Sequence, residues 1–260
     1  MSTSSQPTLA VQGLCKTFGG LKAVQDISFD IMPGELVGLI GPNGAGKTTC
    51  FNLITGFYKP DGGRVLFCGE EITGKAPHTL ARRGLVRSFQ KTNVLKALTA
   101  FENVLAGHYL AARQSLMDIF LPRAHVRHTE QKVRESAASI IDIMGLSHRI
   151  NTPASVLSCG ELRLLEVAVA LAAKPRLLML DEPAAGLNSQ EARVFGQILQ
   201  RLLGTHVESM VIVEHNMHLM MEICHRLVVM NFGQKLTEGT PEAVQRHPQV
   251  IEAYLGKASA

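Results

Sequence analysis

No stretch of this 260-residue sequence stays apolar for the roughly 20 residues that a bilayer-crossing helix takes. The best candidates, residues 162–173 and 177–180, carry Arg163 and Glu166 and are split by Lys174, Pro175 and Arg176. Residues 1–7 are polar and lack the basic and apolar parts of a secretory leader. Cysteine is sparse: Cys15, Cys50, Cys68, Cys159 and Cys224 are odd in number and never fall as CxxC. That argues against a disulfide framework or a zinc site. A soluble intracellular chain with reduced thiols is expected, one that reaches a membrane only through partners. Excess charge of one sign is lacking too. The 26 Lys and Arg against 22 Asp and Glu leave +4, without the basic stripe that tracks nucleic acid. Internal repeats and low-complexity tracts are absent. What is present is apolar bulk, 46% of residues against 18% charged, enough to bury a large core.

Short apolar runs alternate with turn signals near the start: residues 9–14, then 23–31, then Pro33-Gly34, then 35–40. The pattern predicts strands joined by tight connections, and residues 64–68, after Asp61-Gly62-Gly63, predict another. The texture changes after Thr99. Val133, Ala137, Ile140, Ile141 and Met144 recur at helical spacing and stop at Gly145, so residues 100–155 are expected to form an all-helical insertion. Strand-like runs return at 177–180, 210–213 and 227–230. Helical patterns separate them, such as Val194, Phe195, Ile198, Leu199, Leu202 and Leu203, ending at Gly204. Such alternation predicts βαβ units and a largely parallel sheet.

Gly41-Pro42-Asn43-Gly44-Ala45-Gly46-Lys47-Thr48 fits G-x-x-x-x-G-K-[ST] and sits between a buried-strand run and a helix. Glycines let the backbone curl until successive N–H groups face an anion, and the following helix adds the positive end of its dipole. Lys47 would reach the β- and γ-phosphates, and the Thr48 hydroxyl would ligate Mg²⁺. The reading is a nucleoside triphosphate site, against a glycine-rich turn with a chance lysine. Leu177-Leu178-Met179-Leu180-Asp181 supplies the companion element, an apolar strand closed by an acid. Asp181 would hold the metal through water, and Glu182 would orient or deprotonate the attacking water. The plain alternative is a solvated acidic pair before Pro183. Two charges ending a wholly apolar strand are costly without a cation.

Leu157-Ser158-Cys159-Gly160-Glu161, followed by helical residues just ahead of the acidic strand, is similar to Leu-Ser-Gly-Gly-Gln, the signature of the ATP-binding-cassette (ABC) ATPase family. The chain resembles that family over nearly its whole length. The resemblance implies an α/β fold: a P-loop NTPase (RecA-like) core with an N-terminal antiparallel β subdomain and an inserted α-helical subdomain. Residues 8–95 and 168–260 would form the ATP-binding core, 96–167 the helical (signature) subdomain, and 1–260 one nucleotide-binding domain. ATP and Mg²⁺ are the implied cofactors. Asn43, Gly44, Ala45, Gly46, Lys47, Thr48 and Thr49 would touch ATP, and Thr48, Gln90 and Asp181 the metal. Gln90 in Val86-Arg87-Ser88-Phe89-Gln90 matches the Q-loop glutamine. His215 in Met210-Val211-Ile212-Val213-Glu214-His215 matches the switch histidine, so Glu182, His215 and Gln90 make up the implied catalytic set. Phe18 in Lys16-Thr17-Phe18-Gly19 matches the adenine-stacking aromatic, with Val24 also assigned to the nucleotide.

Ser158, Gly160 and Glu161 would bind the nucleotide held by another subunit, so that two subunits sandwich two ATP molecules. The plain alternative is that Ser158 is an N-cap and Glu161 closes its capping box. Three residues depart from the family pattern: Cys159 for glycine, Glu161 for glutamine, and Asn188 for aspartate in Ala185-Gly186-Leu187-Asn188. A negative Glu161 would weaken phosphate binding unless it caps its own helix.

Three segments resemble the ATPase subunits of bacterial branched-chain (hydrophobic) amino-acid importers. They are Phe18-Gly19-Gly20-Leu21-Lys22-Ala23-Val24, Glu182-Pro183-Ala184-Ala185-Gly186-Leu187-Asn188, and the ending Glu238-Gly239-Thr240-Pro241-Glu242 with Val250-Ile251-Glu252-Ala253-Tyr254-Leu255-Gly256. This implies a motor subunit, peripheral at the cytoplasmic face of the inner (plasma) membrane. Transmembrane permease subunits would dock near residues 90–103, beside a second ATPase subunit of the same or a related chain. A substrate-binding protein would act indirectly, and nucleic acid is not an implied partner. Similar ATPases for urea or amide uptake or lipopolysaccharide export are the alternative, and a non-transport ABC ATPase is a more distant one.

Overall fold

Alternating burial builds the first layer. The computed structural model describes residues 6–88, 94–111 and 123–255. In it, β1 (Leu9–Phe18) and β2 (Leu21–Ile31) form an antiparallel hairpin. Gly19 and Gly20 turn the chain with φ of 50° and 90°, the two positive values that a two-residue turn needs to match strand twist. After β3 (Leu36–Ile40) the chain returns to this layer with β4 (Gly62–Phe67) and β5 (Glu70–Glu71), giving a sheet ordered β2-β1-β4-β5.

β3 belongs to the second sheet. It is joined there by β6 (Leu85–Arg87), β7 (Leu177–Asp181), β8 (Ser209–Val213), β9 (Arg226–Asn231) and β10 (Gln234–Gly239). The order is β10-β9-β3-β8-β7-β6, and every neighbouring pair is parallel except the β9–β10 hairpin. Parallel strands are covered on both faces, and these strands alternate between two cores. Leu36, Ile40, Leu178, Leu180, Met210 and Ile212 face the helices. Val37, Leu39, Met179, Val211 and Val228 face the antiparallel sheet, with Leu9, Ile27 and Phe51.

The helices are α1 (Lys47–Ile54), α2 (Pro77–Arg82), α3 (Ala100–Ala111), α4 (Arg123–Ile143), α5 (Cys159–Leu171), α6 (Ser189–Leu202), α7 (Met217–Ile223), α8 (Pro241–Gln245) and α9 (Pro248–Leu255). The α4 stripe is as predicted: Ala137, Ile140, Ile141 and Met144 are buried, and Gly145 at φ 72° stops the helix. Two details differ. α5 starts at Cys159, inside the motif at residues 157–161 rather than after it, because Ser158 caps it. Val194 is 48% exposed, since the buried face of α6 is Ala192, Phe195, Ile198, Leu199 and Leu202. Among the described residues no helix is long and apolar enough to cross a membrane. The carboxyl ends of β3, β8 and β7 lie side by side, where open α/β sheets bind ligands.

Candidate active site

β3 ends at Ile40, and residues 41–46 curl before α1 begins at Lys47. At Gly46 φ is 97°, and a Cβ there would stand 2.3 Å from the Ala23 carbonyl oxygen, so only glycine fits. Backbone bonds from Gly233 N–H to Ala45 O (3.0 Å) and from Gln25 N–H to Gly233 O (2.7 Å) fix the loop to its neighbours. Lys47 is buried, and its Nζ donates to Gly41 O at 2.6 Å and Pro42 O at 3.0 Å. Burial pushes this ammonium below its ordinary pKa, while Glu182 and Asp181 pull it back up.

Asp181 closes β7 with a fully buried side chain, and Arg87 Nη2 on β6 donates to its Oδ2 at 2.6 Å. Arg87 also donates to Asn52 Oδ1 and Thr55 Oγ1, and its guanidinium lies over the Phe51 and Phe57 rings at 5.4 and 5.3 Å. Desolvation holds the Asp181 carboxyl above the usual carboxylate range despite Arg87. Its Oδ1 is buried with no hydrogen-bond partner among the described residues. Glu182 follows in the left-handed region at φ 50°. Its N–H donates to Val213 O at 2.8 Å, and its Oε1 lies 2.9 Å from His215 Nε2.

Asn43, Gly44, Ala45, Gly46, Lys47, Thr48 and Thr49 share one cleft with Glu182 and His215. Its volume of about 620 Å³ is within the range of small-molecule sites. Sequence reasoning missed Arg87 and Glu214. Glu214 takes backbone N–H bonds from Ala184 at 2.6 Å and His215 at 2.9 Å. The signal was present, an acid directly after the apolar run at residues 210–213, as Asp181 follows 177–180.

Other assigned residues stand apart. Val24 is only 2% exposed and belongs to the core under the β1–β2 hairpin, so it does not line the cleft; Ala23 does. Phe18 does not line it either. Its ring meets Tyr58 edge-on at 5.3 Å, with Lys16 Nζ 5.5 Å from its centroid. That rim is made instead by Leu21, Lys22 and Phe232, an aromatic 80% exposed in the β9–β10 turn. Gln90 lies outside the described residues.

Ser158, Gly160 and Glu161 line a separate depression of about 310 Å³ with Asn188 and Val194. The capping box is formed: Ser158 Oγ accepts the Glu161 N–H at 3.2 Å, and Glu161 Oε2 accepts the Ser158 N–H at 2.8 Å. Glu161 Oε1 accepts from Arg149 Nε at 2.7 Å. Against the upward pull of burial, Arg149 and Ser158 bring this carboxyl down to about 2.

A parallel sheet carrying a lysine loop on one strand, an acidic pair on a second and a histidine on the strand between defines a P-loop ATPase. The family description "ABC transporter" matches residues 24–185, and "Branched-chain amino acid ATP-binding cassette transporter" matches 234–260. The chain belongs to the ABC transporter family as an ATP-binding cassette, an ATPase coupled to transport. It is 41% identical over 254 residues to the high-affinity branched-chain amino acid transport ATP-binding protein LivG of Escherichia coli (strain K12), covering 98% of this chain and 100% of that one. BraF of Pseudomonas aeruginosa, of the same description, matches with the same identity and coverage. Among solved structures, the ADP conformation of MJ1267, an ATP-binding cassette of an ABC transporter, superposes with a TM-score of 0.85. It is 33% identical and covers 97% of this chain and 100% of that one.

Proposed function

We propose that this chain is the ATP-hydrolysing motor subunit of an importer of branched-chain or other hydrophobic amino acids, working as one of two facing cassettes. One observation carries the hydrolytic reading: Lys47, Thr48, Glu182 and His215 share a single cleft. The phosphates of ATP lie along the N–H groups of residues 43–49, with Lys47 at the β- and γ-phosphates. The adenine lies toward the β1–β2 hairpin that carries Phe18. Glu182 takes the proton of the attacking water, and His215 holds that carboxylate in place.

Magnesium fits the residues present. Thr48 offers a hydroxyl and Asp181 Oδ1 is a buried acceptor in want of a donor or cation, a sparse protein set suited to an ion that keeps much of its water. Gln90 would add to that set. When bound, the ion would neutralise phosphate charge.

Ser158 and Gly160 serve the phosphate loop of a second cassette of the same or a related chain, because in one chain they line a different surface from Lys47. The helical unit, described at residues 96–111 and 123–167, brings them to it. Transmembrane permease subunits dock on an apolar groove of about 380 Å³ lined by Phe57, Leu80, Val86, Val94 and Val169, at the start of the described segment 94–103. The cassette is thereby held peripherally at the cytoplasmic face of the membrane, and a substrate-binding protein acts on it only indirectly.

The cargo reading is supported by relatives 41% identical that are described as branched-chain amino acid transport proteins, and by the match at residues 234–260. It is tested by deleting the gene and measuring labelled leucine uptake. Uptake is expected to fall, to return with the wild-type chain, and not to return with Glu182→Gln. Unchanged uptake after deletion overturns the cargo; full rescue by Glu182→Gln overturns the role of that carboxylate.

A further inference from the structure

Glu214 is 4% exposed just past β8, a strand buried along its whole length. A carboxylate persists in such a place only when its oxygens are satisfied. Backbone alone does this among the described residues. Oε1 accepts the Ala184 N–H at 2.6 Å, and Oε2 accepts the N–H groups of His215 at 2.9 Å and Asn216 at 3.4 Å. The two oxygens therefore pin different segments: the turn after Glu182, and the chain that carries His215.

Glu182 needs such a hold. Its φ of 50° lies in the left-handed region that disfavours any residue with a Cβ, and a backbone like this persists only where its surroundings over-determine it. Val213 O anchors the Glu182 N–H from one side at 2.8 Å. Two residues on, past Pro183, Glu214 anchors the Ala184 N–H. From the opposite direction Arg163 of α5 donates to Ala185 O through Nε and Nη2, both at 3.3 Å. The turn is thus held from the sheet by a buried acid and from the signature helix by a longer, partly exposed contact.

We propose that Glu214 is a positioning residue for hydrolysis. Its carboxylate clamps the Ala184 and His215 peptides together, and so keeps the Glu182 side chain on His215 and facing the Lys47 cleft. The proposal rests on the reading of Glu182 as the group that takes the water proton.

Two variants test it. Glu214→Gln keeps the shape and one acceptor oxygen but sets an amide donor against another N–H; Glu214→Met keeps the bulk and removes both acceptors. At saturating ATP, kcat is expected to fall about tenfold in the first and about a hundredfold in the second, the scale of a 1 Å misplacement. The Kd for ATP, measured without hydrolysis, stays within twofold of wild type. The ¹⁵N-imidazole resonance of His215, assigned with His215→Gln, moves toward its position in Glu182→Ala. If Glu214→Met does not fold, Glu214→Gln carries the test alone.

An unchanged kcat and an unmoved His215 resonance in folded Glu214→Gln overturn the proposal. So does a loss of kcat that only follows a fall in Tm and in ATP affinity. Wild-type hydrolysis by Glu182→Gln is a separate outcome, since it removes the reading beneath the proposal whatever happens at residue 214.

Discussion

A glutamate in the signature motif sets a negative charge beside the surface proposed to meet a second cassette's nucleotide, and here that charge is answered locally. Arg149 Nε lies 2.7 Å and His148 Nε2 3.4 Å from Glu161 Oε1, while Oε2 is spent on the Ser158 N–H. The carboxyl is held down to about 2 against an ordinary 4.5. A lowered carboxylate stabilises the fold fully above its ordinary pKa and loses that contribution as pH falls from 4.5 toward 2. Part of the group is open to solvent, so its worth is about 1 kcal/mol rather than the full shift. Glutamine can still close the capping box but cannot pair with Arg149 as a charge. Urea unfolding is expected to find Glu161→Gln about 1 kcal/mol less stable at pH 7, with the gap closing through that acid window. A gap that is equal at pH 3 and pH 7 would assign the effect to shape instead of charge.

Helix α6 shows the same economy at the scale of an element. Asn188 Oδ1 accepts the Glu191 N–H at 2.9 Å, and Glu191 Oε2 accepts the Asn188 N–H at 2.9 Å. An aspartate would make the same bond, so this departure from the family pattern leaves the helix start intact. Asn188→Asp is expected to melt within a degree or two of wild type. Asn188→Ala loses the cap and about 1 kcal/mol, read from the shift in urea midpoint. If the alanine variant is as stable as the aspartate one, the box contributes nothing.

What the sequence makes legible here follows from period and reach. The strands β3, β7 and β8, the α4 stripe and the lysine loop are visible because their signals are local. β6 is three residues long and β10 is largely polar, so neither carries a pattern to read. The nucleotide assignment of Val24 fails on side-chain direction: Val24 turns into the core while Ala23 and Gln25 on either side of it line the cleft. The ring of Phe18 rests on Tyr58 and the Asp181 carboxylate on Arg87, contacts across dozens of residues that only folding brings together.

For the molecule as a whole, the lysine cleft and the signature depression are separate surfaces, as the proposed two-chain clasp requires. Cys159 reports on that arrangement, because among the five cysteines it alone is exposed, with Sγ 4.0 Å from Ala185 O. Burial pushes the Cys50 thiol up to about 12 and raises Cys224 and Cys68 as well, which keeps those three as unreactive thiols. A bulky maleimide at neutral pH is therefore expected to modify Cys159 first. The adduct stands beside Ser158 and away from Lys47, so ATP affinity of the single chain stays within twofold. Closure is another matter: Glu182→Gln is expected to accumulate an ATP-dependent dimer on gel filtration, labelling is expected to abolish it, and wild-type ATPase activity is expected to fall with it. Cys159→Ser, treated identically, keeps both, which isolates the effect to this thiol. Complete labelling of Cys159 with the dimer still formed places the residue outside the facing surface, and the two-chain clasp on the nucleotide then has to be abandoned.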